Sequence, residues 1–217
     1  ENTPLYGDKG EILIRNTNKI ENGDSSNNSL ISISAHSGTH IDAPYHFYDN
    51  GKTLDQFEPE FWHCENPFLI KYEAREKEII SLESVIDKLS EIPDNCDLLL
   101  FKTGFGAYRE LDKKKYIFNG PGISSEIGFW LRENRQIKMI CLDTISLSAF
   151  SNRPLGRDSH KAFLSKYIFN NISLDPILII EDANMLDINY SPKNILISPL
   201  LFEKADGAPV TIFAYDK

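Results

Sequence analysis

The sequence predicts a single α/β domain spanning residues 1–217, on three observations. Short apolar stretches typical of strands alternate with amphipathic stretches typical of helices. No change in composition separates one part of the chain from another. Hydrophobic residues make up 41% and charged residues 25% of the 217 residues, which is typical of globular rather than disordered proteins. A domain of this length can bury a substantial core.

The strands are predicted from two local patterns. Alternating apolar and polar residues indicate a half-buried strand, and an uninterrupted apolar run indicates a buried one. The predicted strands are Glu11–Arg15, Leu30–Ser34, Phe68–Tyr72, Asp97–Lys102, Lys138–Leu142, Pro176–Glu181 and Pro209–Ala214. A loop is predicted over Asn18–Asn28, which is rich in Asn, Ser, Gly and Asp.

Three helices are predicted from capping residues and from apolar residues at helical spacing. Ser81 is the expected N-cap of a helix that ends near Leu89, before Pro93. A second helix begins at Ser124 or Ser125 and continues through Leu131. The third is predicted over His160–Phe169.

The net charge restricts the classes of partner that are expected, and the cysteine content indicates the cellular compartment. Because Asp and Glu total 32 against 23 Lys and Arg, the net charge is −9, so nucleic acid and anionic membranes are not expected partners. No signal-peptide pattern opens the chain, and no apolar run approaches the ~20 residues of a membrane span. Three cysteines without paired spacing favour a reducing, cytoplasmic compartment, and Cys141 is interpreted as a core residue.

Potential metal ligands concentrate in the segment HSGTHIDAPYH, residues 36–46. Three of the five histidines, His36, His40 and His46, lie there together with Asp42. In an extended chain all four side chains point to one side, because their numbers have the same parity. Two imidazoles and a carboxylate suit Zn²⁺, Mn²⁺ or Fe²⁺ better than Ca²⁺. The pattern therefore predicts a transition-metal site.

A single ion requires this segment to bend. A straight strand holds residues 36 and 40 roughly 13 Å apart, whereas a metal needs nitrogen donors at about 2.1 Å. Gly38 is the residue that permits the bend, because glycine adopts conformations closed to other residues. Strand Leu30–Ser34 is then expected to deliver the cluster to the end of a sheet.

The stretch HSGTHIDAPYHF resembles the H-[ST]-G-T-H-x-D-x-P-x-H signature of the cyclase-like metal-dependent hydrolases. That family includes kynurenine formamidases (arylformamidases), isatin hydrolases and proteins called cyclases. Further segments are similar to other family motifs, so the resemblance extends over almost the whole chain. They are TPLYGD at 3–8, TGF at 103–105, PGIS at 121–124, WL at 130–131, ICLDTIS at 140–146, the H-x3-L start at His160, and IIEDANML at 179–186.

The resemblance implies a β-barrel-like mixed sheet flanked by helices, and one or two Zn²⁺ or Mn²⁺ ions per chain. His36, His40 and Asp42 would bind the first metal. Asp42 and Glu181 would bridge to a second metal, which His160 also binds. The same resemblance implies that His46 donates and accepts the proton, that Tyr6 faces a small-molecule substrate, and that the chain forms homodimers or higher assemblies.

Three functions remain open at this point. The first is an arylformamidase, which converts N-formylkynurenine to kynurenine and formate. The second is a hydrolase of cyclic amides or lactones, or a biosynthetic cyclase. It is suggested by a longer segment between His160 and Glu181, with Lys166–Asp175 as an insertion expected to reshape the pocket. The third is a catalytically silent metal-binding protein on the same scaffold.

Other polar residues have both structural and functional interpretations. His63 is expected to be packed or hydrogen-bonded rather than functional. Asp143 follows a predicted strand, where it either caps a turn or faces a ligand. Arg157 and Asp158 either form a salt bridge or position a metal ligand.

Overall fold

The computed structural model describes residues 2–216, and across them the chain forms fourteen β-strands and five α-helices. The strands are β1 (Leu13–Asn18), β2 (Asn28–Ser32), β3 (His40–Asp42), β4 (His63–Cys64), β5 (Pro67–Lys71), β6 (Ile79–Ile80), β7 (Leu98–Lys102), β8 (Gly122–Ile123), β9 (Met139–Leu142), β10 (Tyr167–Phe169), β11 (Ile172–Leu174), β12 (Leu178–Glu181), β13 (Asn194–Pro199) and β14 (Gly207–Tyr215). The helices are α1 (Leu82–Ser90), α2 (Tyr108–Leu111), α3 (Lys113–Asn119), α4 (Ser125–Asn134) and α5 (Arg153–Leu164).

Eight strands form one mixed sheet in the order β4-β13-β14-β3-β12-β9-β7-β5. The short β3 pairs antiparallel with β12 on one side and with β14 on the other, while β12, β9, β7 and β5 run parallel. Only residues 65–66 separate β4 from β5, which are the two edge strands of the sheet. This short connection draws the edges together, so the sheet is nearly closed. The predicted α/β fold with a barrel-like mixed sheet is confirmed.

The central parallel strands are buried on both faces. In β7, Leu98 and Leu100 pack into one core cluster while Leu99 and Phe101 pack into the other. The same alternation holds in β9, where Cys141 is 2% exposed, as predicted for a core residue. Parallel strands covered on both sides have near-continuous apolar sequences, which is why these were readily predicted.

Helices α1, α4 and α5 contribute side chains to one of these two clusters. The side chain of Ser81 accepts a hydrogen bond from the backbone N–H of Ser84, as expected of an N-cap. The prediction of a helix over His160–Phe169 was wrong at both ends. Helix α5 begins at Arg153, where Asn152 caps it, and it ends at Leu164. No apolar stripe marks the early start in the sequence, because Arg153–Leu155 of the first turn are exposed.

The insertion Lys166–Asp175 forms the hairpin β10–β11 rather than a continuation of the helix. Its position is fixed by Arg132, a buried residue of α4. The guanidinium of Arg132 donates hydrogen bonds to the carbonyl oxygens of Ala162, Ser165 and Leu174 at 2.7–2.9 Å. The hairpin is thereby tied to the C-terminal end of α5.

The first two predicted strands exist, but they do not join the main sheet. β1 and β2 pair only with each other, and every residue of both strands is exposed. The expectation that Leu30–Ser34 delivers the histidine cluster to the sheet was therefore wrong, because β3 itself carries two of the predicted ligands. Alternation in sequence identifies a strand with one apolar face, but it does not show what covers that face.

Several elements were not predicted, notably α2, α3 and β13. β13 begins two residues after Pro192 and ends at Pro199, and prolines within or beside an apolar stretch argue against a strand. Within residues 2–216, no helix has the length and apolar character needed to cross a bilayer.

Candidate metal centre

Strand β3 places two predicted ligands at the middle of the sheet. His40 lies opposite Glu181 of β12, and Asp42 lies opposite Gly207 of β14. His40 and Asp42 share one side of β3, while Ile41 between them packs into the core on the other side. The register of three neighbouring strands therefore brings two carboxylates and an imidazole to one place.

Gly38 makes the predicted bend. Its φ of +65° lies in the left-handed region, where side chains with a Cβ are strained. The bend brings the rings of His36 and His40 to a centroid distance of 5.3 Å. Gly207 supplies the space for His36, since a Cβ there would lie 2.5 Å from His36 Cε1. The position of His36 therefore depends on two glycines, Gly38 and Gly207.

Helix α5 supplies the last histidine from the other side of the site. His160 is 5% exposed, and its Nδ1 contacts the carbonyl oxygen of Gly156 at 2.8 Å. Its Nε2 then faces Glu181 Oε1 at 3.3 Å and Asp42 Oδ2 at 3.7 Å. Likewise, Nδ1 of His40 lies 2.8 Å from the backbone carbonyl oxygen of Gly38. These second contacts set which ring nitrogen is presented to the carboxylates.

The five predicted ligands surround one space. Nε2 of His40 lies 3.4 Å from Glu181 Oε2 and 3.6 Å from Asp42 Oδ1, and Nδ1 of His36 lies 2.7 Å from the same Asp42 oxygen. Asp42 is 1% and Glu181 4% exposed. Buried carboxylates facing imidazole nitrogens are donors of the kind that Zn²⁺ and Mn²⁺ accept. The residues present therefore fit a divalent ion.

The electrostatic environment of these residues also favours a bound cation. Burial by itself would lower the pKa of His36, but its contacts with Asp42 and Asp206 outweigh burial and raise the pKa to about 9. The pKa values of His40 and His160 are also raised against burial, mainly through Glu181. Burial would raise the pKa of Glu181, yet the same two histidines hold it well below its usual value. The site is organised to hold positive charge between its carboxylates.

Asp42 belongs to two compact ligand groups. One contains His36, Asp42 and His46, and the other contains His40, Asp42 and Glu181, with donor atoms in each group within 4.8 Å of one another. A carboxylate common to both groups has the position of a bridging ligand. The grouping differs from the one implied by the resemblance in three respects: His46 joins His36, His40 joins Glu181, and His160 belongs to neither group.

His46 lies in a short 3₁₀ turn, Pro44–His46, directly beside the ligands. Its ring stacks on His36 at a centroid distance of 4.0 Å. Burial is the main cause that lowers the pKa of His46, in contrast to the other three histidines of the site.

Asp206 is a site residue that sequence reasoning missed. Its Oδ2 lies 2.9 Å from Nε2 of His36 and 3.3 Å from Nδ1 of His46, so one carboxylate holds both rings. It precedes Gly207 at the start of β14, 160 residues from His46. The only signal was a turn-like Asp-Gly before the last predicted strand, which carries no indication of a histidine partner.

The predicted ligands line a cavity of about 360 Å³. Tyr6 lines it, as the resemblance implies, and its ring packs edge-on against Phe150 at 5.5 Å. Phe47 also lines it and stacks on His160 at 4.6 Å. No residue of Lys166–Asp175 lines the cavity, so the expectation that this insertion reshapes the pocket was wrong. The hairpin is bound to the distal end of α5 instead.

Two other candidates have structural roles. Asp143 accepts hydrogen bonds from the backbone N–H groups of Thr103 and Gly104 at 2.8 and 3.0 Å, so it stabilises a turn. Nε2 of His63 contacts the hydroxyl of Tyr215 at 3.2 Å, away from the metal centre. For both residues the structural interpretation is confirmed.

The bend at Gly38 yields a prediction about metal affinity. We expect Gly38→Ala to lower the free energy of unfolding by about 1–2 kcal/mol, because an L-residue is strained at positive φ. Zinc affinity is expected to fall by roughly 10- to 100-fold, because His36 and His40 lose their shared orientation. Gly23→Ala is the control, since Gly23 also has positive φ (+92°) but lies in the exposed β1–β2 loop. Competition titration with a chromophoric chelator measures both variants, and equal zinc affinity would contradict the role of Gly38.

Comparison with known proteins places this geometry in a family. A family model described as "Putative cyclase" matches residues 1–149. Cyclase-like protein 1 of Arabidopsis thaliana is 29% identical over 204 residues, which cover 92% of this chain and 74% of that protein. Kynurenine formamidase of Bacillus mycoides (strain KBAB4) is 26% identical over 192 residues, covering 88% and 80%. The chain spans 66–74% of the length of the plant cyclase-like proteins it matches.

A solved structure shares the fold. Isatin hydrolase A from Labrenzia aggregata, bound to benzyl benzoate, superposes with a TM-score of 0.78 at 18% identity, over 98% of this chain and 88% of that one. The likeness extends from the central sheet to the helices around it. Because the family model also matches well over half of the sequence, the chain belongs to the cyclase family.

Proposed function

We propose that this protein is a metal-dependent hydrolase of small-molecule amides, acting like an arylformamidase on N-formylkynurenine to give kynurenine and formate. One observation carries the proposal: three histidines and two carboxylates converge at the floor of a cavity, with His46 beside them. The similarity to the kynurenine formamidase of Bacillus mycoides supports the substrate class.

The donor set suits one or two Zn²⁺ or Mn²⁺ ions. His36, His40 and Asp42 would hold one ion, and His160 would hold a second together with Asp42 and Glu181. A divalent ion bound there supplies Lewis acidity and lowers the pKa of water from 15.7 towards about 7. No serine or cysteine nucleophile is then needed, in keeping with the absence of a G-x-S-x-G sequence.

The chain's own residues would manage the proton. His46 takes a proton from the attacking water and returns it to the leaving amine. Asp206 holds Nδ1 of His46 at 3.3 Å and so orients the ring. Within residues 2–216, Nε2 of His46 makes no hydrogen bond, which leaves this nitrogen available for transfer.

Aromatic side chains support an arylamine substrate. Tyr6 and Phe47 both line the cavity, on the N-terminal 3₁₀ turn and after the Pro44–His46 turn respectively. Aromatic rings pack edge-on or offset with a gain of about 0.5–1.5 kcal/mol beyond simple burial. A substrate whose aromatic ring packs against Tyr6 and Phe47 would place its amide group beside the metal ligands.

A second candidate is hydrolysis of a cyclic amide or lactone. The observation that favours it is the structural likeness to isatin hydrolase A, which is greater than the sequence identity alone suggests. A biosynthetic cyclase would use the same metal centre to close a ring, which is the reverse of hydrolytic ring opening. The third alternative, a silent metal-binding protein, is disfavoured because all five ligands and His46 are present and close together.

We propose that the chain works as a homodimer in which a second copy covers the hairpin β1–β2. An isolated two-stranded sheet is marginally stable in water, and this one exposes a set of apolar side chains on and beside it. They are Leu13 (44% exposed), Ile14 (50%), Ile20 (58%), Leu30 (44%), Ile31 (60%) and Ile33 (37%). By the strand register, Ile14 and Ile31 lie on one face of the hairpin and Leu13 and Leu30 on the other. Exposed apolar side chains of this kind indicate an interface with protein.

We also propose a cytoplasmic location, supported by three unpaired, buried cysteines, Cys64, Cys96 and Cys141. Burial raises the pKa of the Cys64 and Cys96 thiols to about 12, so they persist as thiols. Microscopy of the tagged natural protein checks the location, and secretion would contradict it.

The principal test of function is formate release. We expect metal-loaded protein to release formate from N-formylkynurenine and from formanilide. Dialysis against EDTA is expected to abolish this activity, and addition of Zn²⁺ or Mn²⁺ is expected to restore it. Isatin and simple lactones form the comparison panel. Turnover of the cyclic compounds alone would select the second candidate, and no turnover of any of them would select a silent metal-binding protein.

His46 separates proton transfer from metal binding. We expect His46→Ala to reduce kcat by roughly 10²- to 10⁴-fold while the metal content per chain, measured by elemental analysis, stays unchanged. Asp206→Asn is expected to reduce kcat by roughly 10- to 100-fold. His63→Ala is the control, because His63 lies outside the cavity. Loss of metal in His46→Ala would identify His46 as a ligand, and unchanged activity would exclude its proposed role.

The homodimer is tested with a charge on the exposed hairpin. Light scattering after size-exclusion chromatography is expected to give twice the chain mass of 24.7 kDa for the wild type and a single chain mass for Ile31→Asp. Leu111→Asp is the control, since Leu111 is 79% exposed but lies on α2. A wild-type monomer, or an Ile31→Asp variant that stays dimeric, would contradict the proposed interface.

A further inference from the structure

Helix α5 presents two arginines to the cavity above the metal ligand His160. Residues 153, 157 and 160 are spaced i, i+4 and i+7, which places them along one face of the helix. Both Arg153 and Arg157 line the cavity that contains the metal ligands. We infer that Arg153 and Arg157 form an anion subsite, and that, given the proposed hydrolase function, the substrate is an aromatic amide that carries a carboxylate.

These guanidinium groups have no counter-charge of their own. Within residues 2–216, neither arginine has a carboxylate at salt-bridge distance, and Arg157 does not pair with the adjacent Asp158. Arg109, by contrast, binds Asp182 through two nitrogens at 2.7 and 3.0 Å. The sequence alternatives for Arg157, a salt bridge with Asp158 or the support of a metal ligand, are replaced by a position on the cavity wall.

The acidic groups of the cavity are already engaged. Asp182 is held by Arg109 and by the hydroxyl of Tyr116. Asp42 and Glu181 face the histidines, and a divalent ion would neutralise them further. A negative group that enters the cavity therefore meets two exposed guanidinium groups that have no carboxylate partner among residues 2–216, although the whole chain has a net charge of −9. The guanidinium of Arg153 lies 6.0 Å from the centre of the Phe150 ring, which leaves its charge uncompensated. Carboxylates suit guanidinium because both groups are planar and form two parallel hydrogen bonds.

The helix also sets where the anion lies. At 1.5 Å per residue, Arg157 and Arg153 are about 5 and 10 Å along the axis from His160. These backbone spacings suit a carboxylate that is separated from the scissile carbonyl by one aromatic ring. Tyr6 and Phe47 line the same cavity and can pack against such a ring. Formylated or acylated arylamines with a carboxylate at this separation fit, and uncharged anilides lack the second anchor.

The test compares two ligands that contain no hydrolysable bond. 4-Acetylbenzoate carries a carbonyl and a carboxylate across a benzene ring, and 4-(hydroxymethyl)acetophenone is its neutral counterpart. Calorimetry on the metal-loaded protein measures both affinities for the wild type and for R153Q/R157Q. R153K/R157K preserves the charge, and R75Q is the control, because Arg75 is an exposed arginine outside the cavity.

We expect wild type and R75Q to bind the carboxylate about tenfold or more tightly than the alcohol. R153Q/R157Q is expected to lose about tenfold in affinity for the carboxylate and less than about twofold for the alcohol, while R153K/R157K retains part of the preference. An unchanged preference in R153Q/R157Q, equal losses for both ligands, or no binding of the carboxylate to the wild type would overturn the inference. Failure of the hydrolase proposal is distinguishable, because it would leave this difference in binding intact while no amide is cleaved.

Discussion

The structure depends on two carboxylates, Asp42 and Glu181, that are buried in neighbouring antiparallel strands. An isolated charge in the interior of a protein is strongly destabilising unless opposite charge accompanies it. Here the compensation comes from His36, His40 and His160, whose nitrogens lie 2.7–3.7 Å from carboxylate oxygens. Protonated imidazoles provide one positive charge each, and a divalent ion provides two at a single point. The same arrangement that makes the fold tolerate these carboxylates therefore creates a place for a cation.

The backbone around this pair has little freedom to vary. β3 contains only three residues and is paired on both sides, so His40 and Asp42 cannot shift without breaking hydrogen bonds to β12 and β14. Gly207 must lack a side chain because the ring of His36 occupies the space beside it. Asp206, the residue before it, consequently lies next to the same ring. Two consecutive residues at the start of β14 thus act on this part of the site. Gly207 leaves space for the ring of His36, and Asp206 supplies the carboxylate that orients His36 and His46.

Three of the five predicted ligands, His36, His40 and Asp42, could be predicted from the residues themselves because they lie near one another, whereas His160 and Glu181 were expected only from the family resemblance. His36, His40 and Asp42 are joined by a single bend, and a glycine at its centre is visible in the sequence. Glu181 ends a buried apolar strand beside Asp182, and the strand pattern alone does not mark it as a ligand. Asp206 had neither a local pattern nor a family motif, because only the pairing of β14 with β3 brings it to His46.

Other errors have the same origin in tertiary structure. The alternating pattern of β1 and β2 correctly indicated strands, yet the pattern is identical whether the apolar face packs on the protein's own core or is left exposed. The residues Lys166–Asp175 lengthen the chain between two ligands without entering the cavity, because Arg132 anchors the hairpin through backbone carbonyls. Length in sequence does not reveal the direction in which an insertion projects.

The elements that hold the ligands differ from those that line the rest of the cavity. Asp42 and Glu181 lie on paired strands in the middle of the sheet, whereas Tyr6 and Phe47 lie in or next to 3₁₀ turns and Arg153 opens a helix at its exposed end. Side chains in turns and at exposed helix ends can be replaced with small effects on stability, while a change on β3 or β12 disturbs a buried charge pair. Substrate preference can therefore change in this fold without loss of the proposed metal centre. Under the proposed function, the buried pair fixes the chemistry, and residues around the cavity, such as Arg153 and Arg157, select the ligand.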